Sequence, residues 1–192
     1  MAAKSNVRNM VLCLTAVCLL CSAILGSIYV ITLDPIAQAS KKALNAALLQ
    51  VLPAEGEISA EALFCKMDGA EYEYYVQDVN DSTANLAVKS VVNGFGGPLT
   101  VLVGIESNGT VHAAKALSHS ETPGLGAKCQ TDEHFINQFD GFDPSVKKLT
   151  VSKDGGDVDA ITASTITSRA YTLAVSNAVK VAEIIREGHC NE

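Results

Sequence analysis

Two short segments concentrate the residues able to do chemistry. The first is Ser118-His119-Ser120-Glu121-Thr122-Pro123-Gly124-Leu125-Gly126-Ala127-Lys128. Glycine has no Cβ, so such a loop lets backbone close on a flat or anionic ligand. Taken alone, the segment also reads as an ordinary turn after a strand. The second runs from Asp157 to Ala170, where five hydroxyl side chains (Thr162, Ser164, Thr165, Thr167 and Ser168) fall within seven residues as helical periodicity begins. A helix N-terminus offers unpaired N–H groups and the positive end of a dipole, which suits a phosphate. Simple N-capping is the other reading, although it needs only one or two hydroxyls. A threonine hydroxyl is a weak nucleophile without a base, and no self-activating catalytic group stands near these threonines in sequence. No catalytic acid–base pair is evident. His112, His134 and His189 lack metal-ligand spacing, no C-x-x-C pair exists, and no metal is expected. His119 reads as a solvent-facing loop histidine, and Lys128 as either a neighbour of a bound ligand or a surface charge.

These segments need elements to hold them. From Thr165 to Glu187 the spacing predicts a helix with Ile166, Ala170, Leu173, Ala174, Ala178, Val181, Ile184 and Ile185 on one face and Gly188 beyond its end. Upstream, Glu71 to Gln77, Leu86 to Val92, Leu99 to Ile105 and Thr110 to Leu117 read as strands. Gly94 to Pro98 is a glycine-rich turn, and Asn108-Gly109 is a strong hairpin signal. Asn108-Gly109-Thr110 and Asn80-Asp81-Ser82 also match the glycosylation sequon. Thr131-Asp132-Glu133 caps a short helix through Phe139, and Leu149 to Ser152 reads as a further strand. The fold class is α+β: an antiparallel sheet packed by a long C-terminal helix.

Met10 to Leu33 contains 24 residues without a charge. As a helix it extends roughly 36 Å, enough for a hydrocarbon core of about 30 Å. It is too long for a signal-peptide core, and no Ala-x-Ala site follows it. Lys4 and Arg8 precede it and Asp34 follows, so the N-terminus is expected in the cytoplasm and the rest outside. Asp34-Pro35 is read as opening a second helix that stops at Leu52-Pro53. The expected organisation is a cytoplasmic N-terminus over 1–9, a transmembrane helix over 10–33, a juxtamembrane helix and linker over 34–60, and an external domain over 61–192. The net charge of −7 argues against a nucleic-acid partner. Of six cysteines, Cys13, Cys18 and Cys21 lie in the apolar run, while Cys65, Cys129 and Cys190 lie beyond it with no role assigned.

Together and in order, the two segments resemble the FMN-binding domain shared by the G subunit of the Rnf electron-transport complex and the C subunit of the sodium-translocating NADH:quinone oxidoreductase. Glu121 to Gly126 matches that family's Glu-Thr-Pro-Gly-Leu-Gly at every position. Asp159 to Thr165, followed by Ile166-Thr167-Ser168, resembles its flavinylation motif, Asp-x-x-Ser/Thr-Gly-Ala-Thr-x-Thr-Ser. The resemblance extends to the anchor, the alanine-rich stalk, the Gly94–Pro98 turn and the closing helix. It implies covalent FMN on Thr165 through a phosphoester. Asp159, Thr162, Ser164, Thr167, Ser168, Glu121, Thr122, Gly124, Leu125 and Gly126 are then the remaining cofactor-binding residues. It further implies a separate flavin transferase, other membrane subunits as partners, and a non-autonomous redox role in ion-coupled ferredoxin:NAD⁺ electron transfer. The location implied is the bacterial inner membrane, single-pass, with the domain on the periplasmic side. Where the family has Gly-Ala, this chain has Ala163-Ser164. An alanine at 163 is strained if the backbone there takes positive φ, and Ser164 sets a second hydroxyl beside Thr165. The alternatives are the corresponding quinone-reductase subunit, a membrane sensor, and a flavin-free assembly subunit, the last favoured by that departure.

Overall fold

The computed structural model describes residues 7–54, 56–59, 61–77 and 84–190. The chain divides into two units between Ala43 and Leu44, and the second, compact unit carries the sheet. One helix, α1, runs from Val7 to Val51 and carries an apolar stretch long enough to cross a membrane, none of it buried by the protein itself. It continues through Asp34-Pro35 instead of restarting there. Proline removes only one backbone donor, and helix-forming residues on both sides carry the backbone past it. Lys4 and the Asn80 sequon lie outside the described residues.

The compact unit is built on a five-stranded antiparallel meander in the order β1 (Leu63–Met67), β2 (Ala70–Gln77), β3 (Asn85–Asn93), β4 (Pro98–Ile105) and β5 (Val111–His119). Strand residues alternate between faces, and both faces are covered. Leu86 and Val88 of β3, with Leu99, Val101, Val103 and Ile105 of β4, join the core beneath the closing helix α3 (Thr165–Glu187). Ala87 and Leu102, from the opposite face, pack with Ala47, Leu48 and Val51 at the end of α1 and with Leu52 just beyond it. The last turns of the stalk are therefore part of the core, and the compact unit opens at Leu44, ahead of residue 61.

α3 ends at Gly188, whose φ of 77° permits the left-handed cap that returns its N–H to Ile184 and Ile185. Its buried face is rotated from the one expected. Ile166 and Leu173 are exposed, whereas Thr167, Ser168, Tyr171, Thr172 and Val175 are buried. The Thr167, Ser168 and Thr172 hydroxyls find partners inside, which removes the usual penalty for burying them. Tyr171 stacks edge-on with Phe135 and tilts against Phe139, at centroid distances of 5.3 and 5.0 Å. Phe135 belongs to a short helix, α2 (Glu133–Ile136), capped by the Asp132 carboxylate on His134 N.

The strand expected over Leu149–Ser152 is a single bridge, Val151 to Val158. Here the chain closes on itself. Val158 N donates to Thr150 O, Ser152 N donates to Val158 O, and the Asp157 carboxylate accepts from Lys148 N. The backbone groups a strand would offer a neighbour are thereby used locally. The tip of this loop is a 3₁₀ turn, Ser152–Asp154. Cys65 and Cys190 form a disulfide that ties β1 to the end of α3, and Cys129 is a free, buried thiol.

Candidate functional site

The carboxylate of Glu121 organises the region. It is only 5% exposed. One oxygen accepts from Phe95 N at 2.8 Å and Gly96 N at 3.4 Å, while the other accepts from the Thr167 hydroxyl at 2.8 Å. A buried carboxylate needs such donors. Here they come from the turn between β3 and β4 and from the first turn of α3, so one side chain joins three segments far apart in sequence. Two glycines are required by this closeness. A Cβ on Gly94 would lie 1.9 Å from Glu121 Oε1, and one on Gly126 would lie 2.5 Å from Oε2 and 2.8 Å from Thr167 Oγ1. The half-buried His119 closes the loop from the strand side, its Nδ1 accepting from Glu121 N at 3.3 Å. It is not the solvent-facing histidine expected: it ends β5 and turns back onto the loop.

Above this support lies a cleft of about 390 Å³. Its volume falls within the range of small-molecule sites, about 300–1,000 Å³. One wall is Glu121, Thr122, Leu125 and Gly126, and the other is Ala163, Ser164, Thr165, Ile166 and Thr167, with Phe95 between them. Phe95, Leu125 and Ile166 are large apolar side chains left 68, 44 and 51% exposed around it. Exposed apolar groups gathered about one concavity mark a binding surface more than isolated ones do.

The second wall is built differently. Ala163 has φ of 61°, in the left-handed region that costs a residue with a Cβ about 1–2 kcal/mol. Ser164 then occupies the N-cap position without a side-chain capping bond. The first-turn N–H groups of Thr165, Ile166 and Thr167 have no carbonyl four residues back within the helix. Ser168 secures the turn from below, donating to Ser164 O at 3.0 Å and accepting from Ile161 N at 2.9 Å. Thr165 stands at the mouth of the helix, half-exposed, with Lys153 Nζ 3.0 Å from its hydroxyl oxygen.

The expected site residues thus separate into groups. Glu121, Thr122, Leu125, Gly126, Ser164, Thr165 and Thr167 line the cleft, and Ser168 lies beneath it. Gly124 does not line it and serves the loop through a φ of 76°. Thr162 and Asp159 are exposed and do not line it. Asp159 instead exchanges backbone bonds with the Gln138 side chain, at 2.6 and 3.2 Å. Lys128 lies away from the cleft lining. Phe95, Ile166 and Lys153 stand at the site although the sequence pattern does not single them out. The first belongs to the glycine turn, the second has the spacing of a core residue, and the third follows a segment with the pattern of a strand. Burial and the nearby Glu121 charge push the Cys129 thiol up to about 11, which leaves it protonated and inert at neutral pH. Among the described residues no cluster of metal-ligating side chains occurs.

The cleft is embedded in a region with known relatives. Residues 94–180 match the FMN-binding domain family. The G subunit of the ion-translocating oxidoreductase complex of Vibrio vulnificus (strain YJ016) is 34% identical over 176 residues, covering 84% of this chain and 82% of the relative. The same subunit of Shewanella piezotolerans is 30% identical over 199 residues, covering 97% and 92%. Among solved structures, the C subunit of the Na⁺-translocating NADH-quinone reductase from Parabacteroides distasonis is 26% identical, covers 60% of this chain and 62% of that one, and gives a TM-score of 0.45.

Proposed function

The chain belongs to the family of the G subunits of ion-translocating oxidoreductase complexes, and from that membership we propose that it is a membrane-anchored electron carrier with FMN esterified to Thr165. The observation that carries the reading is the placement of Thr165. Its hydroxyl opens a 23-residue helix whose first turn holds no acidic side chain, on the rim of an apolar cleft. The helix N–H groups there would hold an anion, and Phe95, Leu125 and Ile166 would hold a planar ring. The residues present therefore fit the group. When bound, FMN supplies one- and two-electron redox chemistry.

The protein's own residues hold and shield. Glu121 fixes the Phe95 turn against Thr167, which sets the width of the cleft. Ser168 and the left-handed Ala163 aim the first turn of α3 at the opening. Attachment would form a bond from Thr165 Oγ to the flavin-bearing phosphorus of a flavin dinucleotide, break the donor's phosphoanhydride bond so that its nucleoside monophosphate leaves, and pass the hydroxyl proton to a base on a separate flavin transferase. Net addition is one FMN less one water. The flavin-free alternative is weakened by geometry: Ala163 already adopts the conformation a glycine would take, so the Ala163-Ser164 departure leaves the turn intact.

The anchor, basic Arg8 before it and the Cys65–Cys190 disulfide support an outward-facing domain, since disulfides persist in oxidising compartments. The complex's other membrane subunits are its partners, and its electrons serve ion-coupled ferredoxin:NAD⁺ exchange. Intact-mass analysis of protein from its native host should read one FMN less one water above the polypeptide, and Thr165→Ala should return it to the bare mass. An unmodified native protein, or full modification of the variant, overturns the assignment. Protease added to spheroplasts should digest the domain; protection of it there contradicts the orientation.

A further inference from the structure

The loop over residues 148–158 contributes nothing to the cleft lining, yet its tip touches the attachment residue. Lys153 Nζ lies 3.0 Å from Thr165 Oγ1. The contact is held by a built device. The next residue, Asp154, takes two bonds from the Arg169 guanidinium, at 2.6 and 2.7 Å, clamping the 3₁₀ turn to the opening turns of α3. Arg169 is the basic side chain within those turns, and this clamp engages it. Among the described residues Lys153 meets one hydroxyl, which satisfies a single one of its three donors.

We propose that Lys153 is a positioning residue for flavin attachment, an external cation that orients the Thr165 hydroxyl and then pairs with the phosphodiester formed on it. The inference rests on attachment at Thr165. Once esterified, the phosphate keeps one negative charge. The N–H groups of the first turn of α3 would hold it, and Lys153, at the Thr165 hydroxyl, would supply the countercharge. Two cations are not needed, because a diester carries only one charge. This assigns Arg169 to holding the loop and Lys153 to holding the phosphate. It also gives a reason for a basic side chain at an otherwise uncommitted loop tip, across 12 residues of sequence from its target. A lone ammonium near the phosphorus also favours attack at Thr165 over the neighbouring Ser164 and Thr167 hydroxyls, which lie inside the cleft wall.

The full-length chain is co-expressed with a flavin transferase, and the fraction carrying FMN is followed by intact mass, with peptide mapping of the modified residue. Lys153→Met, which keeps the stem and removes the charge, should slow incorporation about tenfold, as expected for one charge-assisted hydrogen bond in the attachment step. It should also spread modification to Ser164 or Thr167. Lys153→Arg should restore rate and site, and the melting temperature of the apo forms should be equal. Unchanged rate and site in Lys153→Met overturn the role of Lys153 while leaving attachment at Thr165 standing. Slow incorporation that Arg does not rescue, with a lowered melting temperature, also overturns it, because the residue is then structural. A wild-type chain that gains no FMN mass removes the attachment reading and this inference together.

Discussion

The two walls of the cleft solve opposite problems. The wall from Glu121 to Gly126 is organised around a buried carboxylate whose three donors come from two other segments. Its glycines are dictated by steric closeness, since a Cβ at Gly94 or Gly126 would strike that carboxylate. The wall from Ala163 to Thr167 is open, holds a strained alanine, and leans on an exposed ion pair. The first wall is fixed by packing and desolvation, and the second is left accessible. That difference suits the proposed role of Thr165, which a modifying enzyme would have to reach and which would then hold a charged ester in place.

The comparison breaks most severely at Glu121. Glu121→Ala leaves the Phe95 and Gly96 N–H groups and the Thr167 hydroxyl without their acceptor, and should cost about 3 kcal/mol in thermal unfolding of the purified chain. Glu121→Gln keeps the shape and one acceptor oxygen, and should lose less than half as much. Equal losses for the two would mean that the second acceptor oxygen and its charge, not the volume of the side chain, hold the wall.

A smaller effect of opposite sign is expected across the cleft. Ala163→Gly relieves the left-handed strain but loosens the unfolded chain, for a net gain of about 0.5–1 kcal/mol in the same unfolding measurement. Flavin incorporation should not fall. A destabilised glycine variant would show that the backbone at 163 is not strained.

The smallest effect is at the loop clamp. The Arg169 guanidinium holds the Asp154 carboxyl below its ordinary value of 3.8. A folded value lower than the unfolded one adds stability above the unfolded pKa and loses it as pH falls through the folded pKa. Asp154→Asn should therefore melt slightly below wild type near neutrality, and the two should converge in acid. Because the pair is exposed, added salt should also shrink the difference. A gap that persists in strong acid would assign the effect to something other than charge.

Much of the fold is legible along the chain. The meander's strands β2 to β5 fall where the Tyr-rich and Val-rich runs and the Asn108-Gly109 turn place them, because strand-forming residues and turn residues act locally along the chain. α3 begins at Thr165 and ends before Gly188 as its caps and spacing imply. The positive φ at 163 is foreshadowed by the glycine that the motif normally carries there. The rotated face of α3 is not legible, since Thr167, Ser168 and Thr172 look polar in sequence and are buried only because partners await them. β1 is equally hidden, because Leu63-Phe64-Cys65-Lys66-Met67 is short and its pattern is weak.

The sequence by itself determined the apolar anchor, the alternation of the sheet, the helix that starts at the hydroxyl cluster and the placing of both motifs within the chain, because each is written in neighbouring residues. Only the tertiary structure decided which two of Cys65, Cys129 and Cys190 join, that Glu121 meets Thr167 across 46 positions, and that Lys153 reaches Thr165. Those pairings depend on how the chain returns to itself, and composition and spacing carry no record of distance between residues far apart along the backbone.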